Sequence, residues 1–205
     1  MNVFLSATSV GLLLALLALG VAISYSVLRT IDLTVDGSFM TGAAIAGMLL
    51  IRGVPASLAT LGGALGGVGC GLVTGIFQTK FGVPHLLAGM ITTTGLYSVN
   101  LAIMGGGNLP LAAPVTVFEA VAGSAPMVTA ELATAGVLLL LAGMLVVLLR
   151  WFFRSSLGLA LLAVGDNPTM AEAVAVDTAG MTILGLGISN GLVALSGALF
   201  AQYQG

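Results

Sequence analysis

The sequence predicts an all-α fold, a polytopic bundle of about six membrane segments with one of them short or half-inserted. Three observations predict it. Charged residues make up 6% of the 205 residues, where a water-soluble domain carries roughly a quarter. Hydrophobic residues make up 59% and the mean hydropathy is +1.19. The few charges punctuate long apolar runs, and spanning a hydrocarbon core takes about 20 apolar residues as a helix. Membrane strands would alternate in polarity over segments of about ten residues. These runs are solidly apolar, so helices are expected.

The first span is the uncharged run from Met1 to Leu28. It lacks the basic residues that open a signal peptide and is longer than such a peptide's apolar region, so it reads as a retained helix. Asp32 and Asp36 flank the break that follows. Asp36, before Gly37 and Ser38, is the expected N-cap of a second helix ending at Ile51, which from Gly37 is short for a full span. An ion pair between these acids and Arg29 is the bland reading of the segment; a proton or cation site is the sharper one, disfavoured because no other span offers an acid to continue a relay.

The third span, within Gly53 to Thr79, carries Gly63, Gly67, Gly71 and Gly75 at every fourth position, with Gly62 and Gly66 beside them. Residues four apart share a helix face, and glycine lets another backbone come close, so tight helix packing is expected. Gly187 and Gly191 repeat the spacing in the last span, while Cys70 stands as the single cysteine, so no disulfide framework exists. The fourth span, within Phe81 to Phe118, holds Thr93, Tyr97 and Asn100 at spacings that share one face. In lipid such groups need partners. Two readings stand: hydrogen bonding between helices, or a lining for a polar solute, with Ser189 and Asn190 of the last span open to either role.

A loop over about 105–129 contains Pro110, Pro114 and Pro126 and no Lys or Arg, with a short amphipathic helix expected from Val115 to Val121; it reads as a docking surface or as padding. The fifth span fills Leu132 to Leu149 and the last fills Thr178 to Gly205. Between them lie Arg150, Arg154, Asp166, Glu172 and Asp177, the densest charge in the chain. Asn167 before Pro168 starts a helix expected over Pro168 to Val176, with Thr169 and Glu172 offering a competing capping box. Met170, Ala171, Val174 and Ala175 give it an apolar side, suited either to a groove of another protein or to lying flat on the membrane. Alternating the spans puts Arg29, Lys80, Arg150 and Arg154 on one side and Arg52 on the other, so the former side is cytoplasmic and the loop over 105–129 external.

Composition and motifs also exclude. No basic patch exists to hold phosphates, so the expected surroundings are membrane lipid and not nucleic acid. His85 is the sole histidine and reads as a structural contact, and Ala194-Leu-Ser-Gly197 lacks the first glycine of a nucleophile elbow, so an intramembrane enzyme is disfavoured.

The segments Ile31 to Phe39, Lys80 to Gly89, Thr94 to Met104 and Gly158 to Pro168, continued through Ala179-Gly180, Ser196 to Ala198 and Gln202 to Gly205, together resemble the permease subunits of bacterial ABC importers. The likeness is to the group containing branched-chain amino acid and ribose permeases, and within it to the subgroup called ABC transport system permeases. It implies a multi-pass protein of the bacterial plasma (inner) membrane that pairs with a second permease copy. It implies a cytosolic ATP-binding cassette ATPase, an extracellular or periplasmic substrate-binding protein, and import of a small solute, an amino acid such as an aromatic one. ATP and Mg belong to the ATPase; this chain has no phosphate loop, needs no cofactor and is expected to be no enzyme. The likeness makes the segment over about 150–179 the coupling loop, with Gly165, Asp166, Asn167 and Pro168 at the docking helix and Glu172 and Asp177 on its rim. Thr93, Tyr97, Asn100 and Asn190 become candidates for the pathway. Family members continue past Gln202-Tyr-Gln-Gly205, which implies that 1–205 is a single incomplete permease domain. The alternative class, a secondary transporter or channel, would need no capped docking helix.

Overall fold

A computed structural model describes residues 2–107, 116–118 and 130–204. Among them the chain is helical, without strands: α1 (Asn2–Ala22), α2 (Thr34–Ile51), α3 (Ala56–Thr79), α4 (His85–Met104), α5 (Ala130–Phe152), α6 (Ser156–Asp166), α7 (Pro168–Ala173) and α8 (Thr178–Gln204). α1 continues as a π-turn over Ile23–Val27. Six of these helices are long and apolar enough to cross a membrane.

Two expectations change at α2. The helix has 18 residues and starts at Thr34, three positions upstream of Gly37, so it ranks with the full spans. Its N-cap position is Leu33, and exposed Asp36 sits inside the first turn without capping it. Asp32 takes over the satisfying role: its carboxylate accepts the Thr34 N–H at 2.8 Å. A carboxylate two residues upstream can reach a free N–H of the first turn, so the helix begins earlier than an Asp36 cap would allow.

α8 is the hub, packed against α1, α2 and α3. In lipid, burying a leucine between helices gains little over leaving it among acyl chains, so close packing and hydrogen bonds must hold the bundle. Both are present. The α3 glycines lie on the α8 backbone: a side chain at Gly67 or Gly71 would run into the carbonyls of Asn190 or Leu186, and one at Gly75 into the Ile183 backbone. Gly191 returns the contact against Val68. Gly42 of α2 approaches Ala194, and Gly197 approaches the Phe39 carbonyl. The spacing of small residues in the sequence thus becomes a three-helix backbone seam.

Hydrogen bonds fasten α8 along its length. Ser189 and Ser196 donate to the Gly20 and Leu13 carbonyls of α1. Gln202 donates to Thr60 of α3 at 2.8 Å and accepts from the Val117 N–H at 3.2 Å. Phe118 is buried with Leu13, Leu16, Leu138 and Leu199, so residues 116–118 fold back onto the bundle. The remainder of the expected helix from Val115 to Val121 lies outside the described residues. The alternation of helices sets Arg29, Lys80, Arg150 and Arg154 at the end that carries α6 and α7, and Arg52 at the other.

Candidate functional site

At the basic end the chain builds a surface from two short helices, where the sequence pattern predicts one. α6 is added: Ser155 caps it, accepting from the Gly158 N–H at 3.3 Å. Its apolar face is anchored by Leu161, buried with Ile23, Leu28 and Leu186. Gly165 lies against the end of α1, where any side chain would strike the Val27 carbonyl. Asp166 forms an exposed ion pair with Arg29 at 2.7 Å, so Arg29 pairs with the α6 acid and not with Asp32 or Asp36.

α7 starts as the Asn167-Pro168 pair predicts: the Asn167 amide oxygen accepts from the Met170 N–H at 3.1 Å and Pro168 occupies the first turn. The competing register on Thr169 and Glu172 is not the one used. The helix ends at Ala173, three residues short of expectation. Ala175 turns left-handed (φ 61°), and the Ala175 and Val176 N–H groups bond the Glu172 and Ala171 carbonyls, a Schellman closure built without glycine. Glu172 accepts from the Thr178 hydroxyl at 2.8 Å, and Asp177 caps α8 by accepting from the Gly180 N–H at 3.0 Å. Both acids therefore organise the turn into α8. Of the expected apolar side, Ala171 is buried, while Met170 and Val174 are 65% and 73% exposed.

The polar residues of the spans fall into two groups. The first sits between α2, α3 and α8 near the basic end. Asn190 donates to the Asp32 carboxylate at 2.6 Å and accepts from Ser38 at 2.6 Å, and the hydroxyls of Thr34 and Thr74 meet at 2.8 Å. Asp32, Ser38 and Asn190 are all buried. Sequence reasoning paired none of these; an acid and an amide in otherwise apolar surroundings was the available signal, but only the fold brings Asp32 and Asn190 together.

The second group is on α4, and the structure separates its members. Thr93 donates to the Leu33 carbonyl at 2.7 Å, tying α4 to the start of α2. Tyr97 is 59% exposed. Asn100 is buried, and neither of its amide atoms has a hydrogen-bond partner among the described residues. Asn190 belongs to the other group. Between α2, α3 and α4 runs an open groove of about 570 Å³ past Thr41, Gly66, Cys70, Thr92, Gly95 and Val99; it is apolar, and Thr93, Tyr97 and Asn100 do not line it. At the basic end His85 Nδ1 lies 2.9 Å from Gln78 Oε1, a helix-to-helix contact.

Residues 3–205 match the family model for the permease component of branched-chain amino acid transport systems. The chain belongs to that permease family. It is a multi-pass inner-membrane protein. It is 38% identical over 205 residues to a tyrosine transport system permease protein of Clostridioides difficile, covering all of this chain and 66% of that relative. It is 32% identical over its full length to an uncharacterized protein of Rickettsia prowazekii, 70% of which is covered. It is 28% identical over 194 residues to the autoinducer 2 import system permease protein LsrC of Salmonella typhimurium, covering 94% of this chain and 53% of that protein. The chain thus spans from about half to 70% of the length of these relatives. No solved structure matches it significantly.

Proposed function

We propose that this permease provides the membrane pathway of an ATP-binding cassette importer for a small zwitterionic solute, an aromatic amino acid such as tyrosine. A cytosolic ATPase docks on α7, an external binding protein delivers the solute, and a second permease copy completes the pathway. The observation that carries the reading is α7: a helix capped at both ends at the basic end of the bundle, presenting Met170 and Val174 outward while Ala171 holds it from beneath. A rigid, half-apolar helix of this kind suits a groove in a partner. The similarity to a tyrosine transport permease supports the solute class. Asn100, an uncharged buried amide without a partner among the described residues, supports a pathway past α4 for a neutral or zwitterionic group.

The docking test is Met170→Glu with Val174→Glu in the full-length permease co-expressed with its ATPase. Exposed substitutions change stability by no more than about 0.5 kcal/mol, so the permease should purify normally and lose the ATPase. Retention of the ATPase at full yield defeats the docking reading and moves the ATPase contact away from α7. For the solute, uptake of labelled tyrosine by the reconstituted complex is expected to need ATP and the binding protein; uptake of sugars alone defeats the amino-acid class.

A further inference from the structure

We infer that Asp32 is a positioning residue for energy coupling, fixing the α1–α2 connector to the middle of the bundle so that movement of the α6–α7 surface is passed to α2 and α8. The inference rests on the docking reading above.

The connector is held at both ends by different chemistry. At its α6 end, the Val27 carbonyl lies against Gly165, Leu28 is buried with Leu161 and Leu186, and Arg29 pairs with Asp166. Arg29 itself is left-handed (φ 52°), one residue beyond the Leu28 that closes the π-turn, a conformation that a non-glycine residue adopts only where its surroundings impose it. Three residues on, the Asp32 carboxylate accepts from the Thr34 N–H at the start of α2 and from the Asn190 amide of α8, and Asn190 in turn accepts from Ser38 of α2. A short stretch of chain therefore joins the proposed docking surface to two central helices.

The energetics argue against a purely stabilising role. Asp32 is 9% exposed, and its carboxylate bonds only an amide and a backbone N–H, with no ion pair to a Lys, Arg or His among the described residues. A buried charge without a counter-charge is an expensive way to join helices, and ionisable groups in membrane proteins mark working parts by default. The carboxylate gives one short charge-assisted bond to α8 that can break and re-form as a unit. Glycine packing between α3 and α8 cannot do that in small steps, since its carbonyl contacts leave no slack.

The test uses the assembled full-length complex in proteoliposomes, with its ATPase and binding protein. Asp32→Asn is expected to leave ATPase co-purification and basal ATP hydrolysis near wild type. Solute moved per ATP hydrolysed should fall about tenfold, the size of one charge-assisted hydrogen bond. The exchange Asp32→Asn with Asn190→Asp keeps a carboxylate–amide pair across the same seam, with residue 32 still able to accept from Thr34, and should restore most of the ratio. An unchanged ratio in Asp32→Asn overturns the inference. If that variant is poorly folded, the exchange decides: restored folding without restored coupling means that Asp32 serves stability alone. Failure of the docking reading is distinguishable, because it appears as intact co-purification in the Met170→Glu, Val174→Glu variant, whatever Asp32→Asn does.

Discussion

α8 and α4 are both apolar helices with scattered polar residues, yet the bundle treats them oppositely. Two thirds of the α8 spanning window is buried, 67%, against 22% for α4. Ser189, Asn190, Ser196 and Gln202 of α8 are buried and all bonded to other helices. On α4, Thr93 makes one bond to the α2 start, Tyr97 points away from the bundle, and Asn100 is buried with its amide unpaired among the described residues. Polarity in a membrane helix therefore does not by itself identify a pathway. What separates scaffold from candidate site is whether the fold already satisfies each polar atom. By that measure the polar residues of α8 join helices, Asn190 among them through Asp32 and Ser38, while α4 keeps hydrogen-bonding capacity in reserve.

The strongest way to break the scaffold side of this comparison is Gly71→Leu. The added side chain would enter the space of the Leu186 carbonyl and the Gly187 backbone, neither of which can turn aside as a flexible side chain would. Overpacking of this kind costs about 3 kcal/mol, so the thermal midpoint in detergent should drop steeply or folded protein should be lost. Gly69, on another face of the same helix with open space at its Cβ position, supplies the control: Gly69→Leu should leave the midpoint near wild type. Equal losses at both positions would remove the seam as the cause.

The effect on the α4 side should carry the opposite sign. Replacing an unpaired buried amide by an apolar group of similar size removes a desolvation penalty of about 1–3 kcal/mol. Asn100→Leu is expected to hold or raise the thermal midpoint while reducing solute uptake by the reconstituted complex. A lower midpoint would show that Asn100 has a structural partner, and α4 would then join α8 as scaffold.

Much of this fold is legible in the sequence, because the controlling physics is local. Uncharged runs give the spans, four-residue glycine spacing gives the tight packing of α3, and Asn167-Pro168 gives the start of α7. The misreadings occur where a distant residue decides. Asp36 has the local chemistry of a cap, but Asp32 reaches the first turn from upstream and α2 starts before Asp36. Arg29 has nearby acids in sequence, but the contact of α1 with α6 delivers Asp166 instead. Thr93, Tyr97 and Asn100 share a helix face by spacing; which neighbours meet that face is a tertiary fact, and the fold ties Thr93 to the start of α2, leaves Tyr97 exposed and buries Asn100. α6 is hidden because its sequence, Ser156–Asp166, is too short to read as a span, and buried partners of its Leu161, Ile23 and Leu28 after α1 and Leu186 of α8, are distant in the chain.

The smallest expected effect sharpens the contrast between the two links at the basic end. Arg29 and Asp166 have side chains 64% and 69% exposed. Water competes for both, salt screens them, and such a pair contributes no more than about 1 kcal/mol. Arg29→Gln should therefore lower the thermal midpoint by no more than about 4 °C, a shift that fades as salt is raised toward about 1 M. The connector keeps its hold on α6 through the Val27–Gly165 approach and the Leu28 cluster, which salt does not touch. A loss in Arg29→Gln as large as that of Gly71→Leu, and insensitive to salt, would mean that the arginine does more than pair. The left-handed backbone at residue 29 would then be the place to look, with Arg29→Gly separating the loss of the guanidinium from relief of its φ of 52°.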